Sequence, residues 1–404
     1  MKRVNAARVF SRLLAQNAPA AESRGAPSDL SSSGATALAD RGPFASRLKS
    51  RAVLGFDGDD TFKFLQGLAT NDVLQLEADE HSAKLGTPTP NQPGVVQPPI
   101  YTGILNPQGR FLFDMFLYKP VQESEKLGKG GDAPGAGKSV PQLVADVDAA
   151  SFDDLIAYLK RYILRSKVNI EDLSKDLCAW QRFGGALAGS STSETGAGNI
   201  GWAGGRDLSG TTAAEGNGKG WRWFKDPRLD ALGFRGVFSS GITPPLVEAD
   251  QEVDEEYYLL WRLEQGVPEG PAEIPGGEAI PLEYNMAALN AISFEKGCYV
   301  GQELIARTHY RGEIRKRLMP VNFVLENGEE MREGVARGTE IMDGETGKKV
   351  GSVVTALGSR GLAMVRLEAA AKDRLKLQSV DGGGGAFVKP IRPKWWPSQW
   401  GTVD

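Results

Sequence analysis

"FEKGCYVGQE", residues Phe294 to Glu303, holds one of the two cysteines in a chain of 404 residues. Cys298 follows Gly297, with Gly301 three residues on and Lys296 two residues upstream. A helix beginning near Gly301 would turn free backbone N–H groups and a positive dipole end toward the cysteine. Lys296 would add a cation, and both effects favour thiolate over thiol. The two glycines would let the backbone approach a ligand closely or take a positive φ. The plain alternative is a half-buried core cysteine, the usual setting of a free thiol. Taken alone, the segment leaves both readings open.

The rest of the chain narrows them. Hydrophobic residues make up 41% and charged residues 24%, the balance of an ordinary globular protein with room for a real core. No run approaches the roughly 18–20 apolar residues that span a bilayer. Two cysteines, Cys178 and Cys298, exclude a secreted disulfide framework and point to a reducing compartment. With His81 and His309 as the two histidines, no metal-ligand spacing is recognisable, and a complete zinc or iron–sulfur site exceeds what this chain supplies alone. There is no G-x-S-x-G elbow for a serine nucleophile.

The N-terminus has a different texture. Lys2, Arg3, Arg8 and Arg12 precede the first acid, Glu22, and Val9, Phe10, Leu13 and Leu14 form an apolar stripe. A basic, acid-poor amphipathic start followed by a Ser/Ala/Gly/Pro stretch reads as an organelle import signal. Residues 1–46 are therefore expected to be a transit peptide and disordered leader. They carry six Lys/Arg and three Asp/Glu, so their removal takes the net charge from −4 to −7. An acidic mature chain does not support nucleic-acid binding.

Element signals follow. "SRAVLGFDGDDTFKFLQGLATNDV" predicts a strand, a turn and a helix capped by Asp59 or Asp60, with Phe62, Leu65 and Leu68 on one face. "IYTGILNPQGRFLFDMFLYK" predicts a hairpin about Asn-Pro-Gln-Gly. "SFDDLIAYLKRYIL" predicts a helix with a Ser151…Asp154 capping box. "EVDEEYYLLWRLEQG" predicts a helix ended by Gly266, "YNMAALNAI" a third and "GQELIARTH" a fourth. After Leu318 come short runs ("MPVNFVL", "TEIMD", "KKVGSVVTAL", "GLAMVRL") that predict a small antiparallel barrel or sandwich.

Two low-complexity inserts, at 123–139 and 184–220, read as surface excursions; the second has 12 Gly and 8 Ser/Thr in 37 positions. "GAGNIG" at 196–201 copies a dinucleotide fingerprint by letter and "GAGKS" at 135–139 a phosphate loop. Neither has the strand and helix that such motifs need. The basic cluster Arg307, Arg311, Arg315, Lys316 and Arg317 reads as a solvated face or as a seat for an anionic ligand tail or an acidic partner.

"KGCYVGQELIARTHYRG" resembles the signature of the YgfZ-type proteins, K-G-C-aromatic-x-G-Q-E followed by A-R and R-G, within the folate-binding superfamily of the glycine cleavage T-protein. "FLQGLATNDV", "LNPQGRFLFDMFLY" and "RLEQGVPE" are similar to further family segments, so that the likeness spans about residues 50–320. The resemblance implies an α+β, three-domain T-protein-like fold: two ferredoxin-like α+β units and a C-terminal antiparallel β-barrel around a central opening. It places the folate-binding region at 47–316 and the barrel at 317–404.

With the import signal, the resemblance points to the mitochondrial branch, iron–sulfur cluster assembly factors that help mature [4Fe–4S] proteins of the matrix. The implied cofactor is tetrahydrofolate, with an iron–sulfur cluster bound only transiently and shared with a partner. The implied partners are A-type iron–sulfur scaffold proteins of the matrix and apo [4Fe–4S] client proteins, with no nucleic acid and no membrane span. The expected site comprises Cys298, as thiolate and shared cluster ligand, and Lys296 beside it. Asp114, Arg262, Glu264, Tyr299 and Arg311 are expected around the folate. Phe113 stands where T-proteins have the first of two acids, which weakens the alternative of a tetrahydrofolate-dependent, aminomethyltransferase-like enzyme and leans the reading toward an accessory protein without turnover.

Overall fold

The computed structural model describes Leu38 and residues 42–77, 98–120, 141–188, 223–244, 246–247, 250–332, 334–372, 374–378, 386–398 and 400. The basic N-terminal stripe, the 123–139 insert, both glycine-rich look-alike motifs and His81 lie outside the described residues.

In chain order the strands begin with β1 (Phe44–Arg47), β2 (Arg51–Asp57), β3 (Ile100–Leu105), β4 (Phe111–Tyr118), β5 (Leu143–Asp148) and β6 (Asn169–Asp172). They continue with β7 (Leu177–Phe183), β8 (Phe224–Lys225), β9 (Phe234–Ser239) and β10 (Gln251–Glu252). The last six are β11 (Lys316–Val324), β12 (Glu340–Asp343), β13 (Lys349–Leu357), β14 (Arg360–Arg366), β15 (Leu375–Leu377) and β16 (Phe387–Pro390). The helices are α1 (Thr61–Gln66), α2 (Phe152–Ile163), α3 (Gly185–Ala188), α4 (Glu255–Gln265), α5 (Gln302–Arg311) and α6 (Leu367–Ala370). One sheet runs β10-β1-β7-β9-β8, a second runs β3-β4-β5-β2-β6, and β11-β14-β13-β12-β15-β16 close into a barrel. The fold is thus mixed α+β with a six-stranded antiparallel barrel at its C-terminal end.

The second sheet is covered on both faces, and β4 shows why its sequence is so apolar. Leu112, Phe113, Met115 and Leu117 pack with α1 and α2 on one side. Phe116 and Tyr118 join the large core shared with the first sheet and α4. A strand buried on both faces reads as a near-continuous hydrophobic run. The period-2 alternation then puts Asp114 on the face of Phe116 and Tyr118, inside the protein and between the sheets. That single carboxylate in a buried strand sets up everything around it.

Several expectations are corrected. Strand β1 begins at Phe44, inside the stretch assigned to the leader, and pairs antiparallel with β7 and parallel with β10. Leu38 is buried in the core as well. The 184–220 insert does not stay wholly outside the fold: Gly185–Ala188 form α3, and Leu187 packs on a small core cluster.

"YNMAALNAI" is a chain of turns rather than a helix. Asn285 and Asn290 take φ of 63° and 55°, left-handed values that no α-helix accommodates, and Asn285 donates its side-chain amide to Leu318 O. Ser151 is the N-cap of α2 but makes no capping hydrogen bond; its hydroxyl donates back to Asp148 O. Asp60 precedes α1, yet its carboxylate accepts from the Lys167 amide. Strands β15 and β16 complete the barrel without having been foreseen. No helix among the described residues is long and apolar enough to cross a membrane.

Candidate functional site

The cysteine loop is built by stitching. Ser293 N donates to Thr70 O at 3.0 Å and Val300 N to Gly67 O at 3.1 Å, so both ends of the loop are tied to the segment that follows α1. Gly301 is the N-cap of α5 with φ of 85°. A Cβ there would meet Asn106 O at 2.5 Å and Leu105 Cβ at 2.9 Å, so the turn of the β3–β4 hairpin packs directly on the start of α5. Gly297, by contrast, has open space where a Cβ would stand. Within this frame Cys298 is exposed, whereas Cys178 is buried in β7.

Lys296 does not serve the thiol as expected. Its ammonium turns inward and donates to Gln66 O at 2.7 Å, Ala69 O at 2.6 Å and Asn71 O at 3.0 Å. Three acceptors use all three N–H bonds of an ammonium, which leaves none for Cys298. Burial pushes the group down to about 8 against the pull of Asp72. Tyr299 is buried, with the Lys296 ammonium 4.9 Å from its ring centroid, and burial raises its hydroxyl to about 12.

Around the loop, Phe294 stacks on His309 at 3.8 Å between ring centroids, and Tyr310, 68% exposed, stands edge-on to both. The basic cluster is divided. Arg307, Arg315 and Lys316 pair with Glu303, Glu313 and Glu283. Arg317 is buried, donating to Leu282 O and Asn285 Oδ1 with its guanidinium over Trp400, and burial lowers it to about 10. Arg311 remains exposed in the last turn of α5.

Asp114 and Arg262 meet elsewhere, in a buried ionic network that the sequence did not announce. Asp114 Oδ2 accepts from Tyr101 Oη at 3.0 Å and from Gly270 N at 3.2 Å; its Oδ1 lies 3.8 Å from Arg51 Nη1. Asp146 bridges Arg51 and Arg235 at 2.6 and 2.7 Å. Asp226 holds Arg228. Glu269 is the hub: it accepts from Arg228 at 2.6 Å and Arg235 at 3.0 Å, with Arg51 at 3.5 Å and Arg262 at 3.9 Å. Arg262 also forms a two-pronged pair with Glu273.

Burial alone would raise Glu269, yet Arg235, Arg228, Arg51 and Arg262 together hold it well below the ordinary carboxylate range. The face of Phe116 supports the cluster, 4.0 Å from Arg235 and 4.7 Å from Arg228. Arg51 Nη1 and Asp114 Oδ1 have no hydrogen-bond partner among the described residues. Isolated arginines and acids scattered over 220 positions carry no pairing signal in one sequence; the nearest hint was a lone Arg235 in an apolar strand.

Glu264 is not part of this network. Positions two apart on a helix point some 200° apart, so Glu264 faces the barrel while Arg262 faces the sheets. It lines a cavity of about 210 Å³ with Leu263, Pro320, Val321, Asn322, Arg360 and Ile391. Glu264 Oε1 and Asn322 Oδ1 have no hydrogen-bond partner among the described residues. Burial pushes the Glu264 carboxyl up to about 8, with Arg360 opposing and Glu330 adding to the rise. Asp114 and Arg262, expected with Glu264 around one ligand, thus share a buried network filled by protein partners, while Glu264 lies at a separate cavity. Among the described residues no group of three or more His, Cys, Asp or Glu side chains could hold a metal ion.

Residues 315–398 match the family model described as the CAF17 C-terminal beta-barrel domain. Over 355 residues the chain is 33% identical to "Iron-sulfur cluster assembly factor IBA57, mitochondrial" of Mus musculus, covering 87% of this chain and 85% of the relative. The protein of that name in Homo sapiens is 33% identical over 352 residues, with the same coverage. The IBA57 homolog of Mycosarcoma maydis is 30% identical over 389 residues, covering 87% and 84%. Among solved structures, the glycine cleavage system aminomethyltransferase T of Bartonella henselae superposes with a TM-score of 0.53 over 85% of this chain and 84% of its own. At 11% identity, that likeness concerns the fold alone.

Proposed function

The chain belongs to the family of mitochondrial iron-sulfur cluster assembly factors named IBA57, and from that premise we propose that it works by presenting Cys298 to a cluster held jointly with a partner. The observation that carries this is the contrast between the two cysteines: Cys178 is sealed in a strand, and Cys298 is exposed on an anchored loop before a helix. An iron–sulfur centre takes about four protein ligands, so one thiol from this chain requires the others from a cysteine-bearing protein. A-type scaffold proteins fit that role, and apo [4Fe–4S] proteins are the recipients. On binding iron the thiol gives its proton to solvent and the sulfur takes the place of an exchangeable ligand. The site of action is the mitochondrial matrix.

For tetrahydrofolate, the fit falls on Glu264 rather than on Asp114 or Arg262. A pterin ring carries N–H donors along one edge, and Glu264 Oε1 and Asn322 Oδ1, which have no hydrogen-bond partner among the described residues, are acceptors lining a cavity of ring size. Asp114 is closed in by Tyr101, Gly270 and Arg51, Tyr299 is packed in the core, and Arg311 stays at the surface. When bound, a reduced folate supplies a one-carbon carrier. The transferase alternative is disfavoured because Phe113 offers no carboxylate and Asp114 has no free approach.

The reading is tested by depleting the protein and restoring it with wild type or Cys298→Ser, then assaying aconitase-type enzymes and the glycine cleavage pathway. Wild type restores the [4Fe–4S] activities and Cys298→Ser does not, with glycine cleavage unaffected throughout. Full restoration by Cys298→Ser would refute the proposal. Calorimetry with tetrahydrofolate tests the second part: Glu264→Ala weakens binding, and no heat with the wild type removes folate from the account.

A further inference from the structure

We propose that Lys296 is a positioning residue, whose ammonium anchors the loop that presents Cys298 by capping three backbone carbonyls behind it. The inference rests on the reading of Cys298 given above. Helix α1 ends at Gln66, and the carbonyls at a helix end and in the turn beyond it lack partners within the helix. Gln66 O, Ala69 O and Asn71 O all point to one spot, and the Lys296 ammonium occupies it at 2.6 to 3.0 Å. Its three N–H bonds diverge from one nitrogen, a match for three converging acceptors that a planar guanidinium does not reproduce.

The arrangement bears on Cys298 because of where the loop is held. Its upstream end is tied by Ser293 N to Thr70 O, and Lys296 N donates to Ser293 Oγ at 3.2 Å. Its downstream end is tied by Val300 N to Gly67 O. Cys298 lies midway between Lys296 and Val300, so its backbone is fixed from both sides while its thiol stays exposed. A thiol already in place spares the loop from ordering when the partner docks, which favours joint binding without any contact between Lys296 and sulfur. The lysine also serves as a core element, with Tyr299 beneath it.

The test separates anchoring from activation of the thiol. Full-length protein carrying Lys296→Met or Lys296→Arg, in a Cys178→Ala background, is mixed with a cluster-loaded A-type scaffold, and joint cluster binding is measured by absorption. The Cys298 alkylation rate with iodoacetamide is measured in parallel at one pH. Anchoring predicts that both variants lose at least about tenfold in joint binding, while alkylation stays within about twofold of the parent. Rescue by Arg, or alkylation falling together with binding, would show that the charge acts on the thiol and overturn the proposal. Unchanged binding in Lys296→Met would overturn it as well.

Cys298→Ser is the control: if it retains joint binding, the reading of the thiol fails; if it loses binding and Lys296→Met does not, only the anchoring role fails. Should the lysine variants not fold, hydrogen exchange on the unaltered protein decides. The Lys296 and Val300 amides are expected to exchange as slowly as those of the neighbouring core, and rapid exchange would refute a fixed loop.

Discussion

Gly109 and Gly301 stand backbone to backbone: a Cβ on Gly301 would lie 3.1 Å from Gly109 Cα, and one on Gly109 would lie 2.6 Å from Leu304 Cβ. The hairpin turn and the N-terminus of α5 therefore share a contact that only glycine permits at both positions. Both also take positive φ, 76° and 85°. The contact joins the β3–β4 hairpin, which carries Asp114, to the helix that follows Cys298.

Gly301→Ala is accordingly expected to cost about 1–3 kcal/mol, since it adds a strained φ to a methyl placed 2.5 Å from Asn106 O. Urea denaturation measures this. A change within about 0.5 kcal/mol would mean that the hairpin turn yields freely.

Glu264 makes a pH-dependent prediction. Its carboxyl is raised to about 8 in the folded protein, so the folded state binds the proton more tightly than the unfolded chain. The resulting stability is complete below the unfolded value of about 4.5 and is lost as pH rises through 8. Glu264→Gln, neutral at every pH, should match the wild type below about pH 4 and exceed it by roughly 2–4 kcal/mol above about pH 8. Thermal melts across that range check it, and a gap independent of pH would contradict the buried, protonated acid.

Glu269 works in the opposite sense. Its pKa is depressed by four guanidiniums, so its contribution is present above the unfolded value of about 4.5 and falls away as acid protonates it. Glu269→Gln should destabilise the protein by about 3–5 kcal/mol at neutral pH, because it leaves buried cations without their hub. The difference from wild type should shrink on acidification below about pH 4.5. Equal loss at all pH values would assign the residue a packing role only.

What was legible in the sequence followed local pattern. The α4 helix and its Gly266 stop, the Asn-Pro-Gln-Gly hairpin and the first four barrel strands each carry a periodicity or a turn signal of their own. Strands β15 and β16 do not: three and four residues long, they flank the glycine run Gly382–Gly385, where the sequence reads as loop. The run at 284–292 is not a helix because Asn285 and Asn290 take left-handed backbone, Asn285 in contact with Leu318 and Arg317 and Asn290 with Pro227 and Asn71, all far along the chain. Side-chain direction was the other blind spot. Nothing in "KGC" tells whether Lys296 faces the sulfur or the carbonyls behind it, and nothing in "RLE" alone sends Arg262 to the sheets and Glu264 to the barrel.

The central claim is that Cys298 is the ligand through which this chain shares a cluster. Purified protein is mixed with a cluster-loaded A-type scaffold and run on size exclusion with absorption detection. Wild type is predicted to co-elute with the scaffold as a coloured complex, Cys178→Ala to do the same, and Cys298→Ser to elute colourless and apart. A coloured complex formed by Cys298→Ser as readily as by wild type would contradict the account.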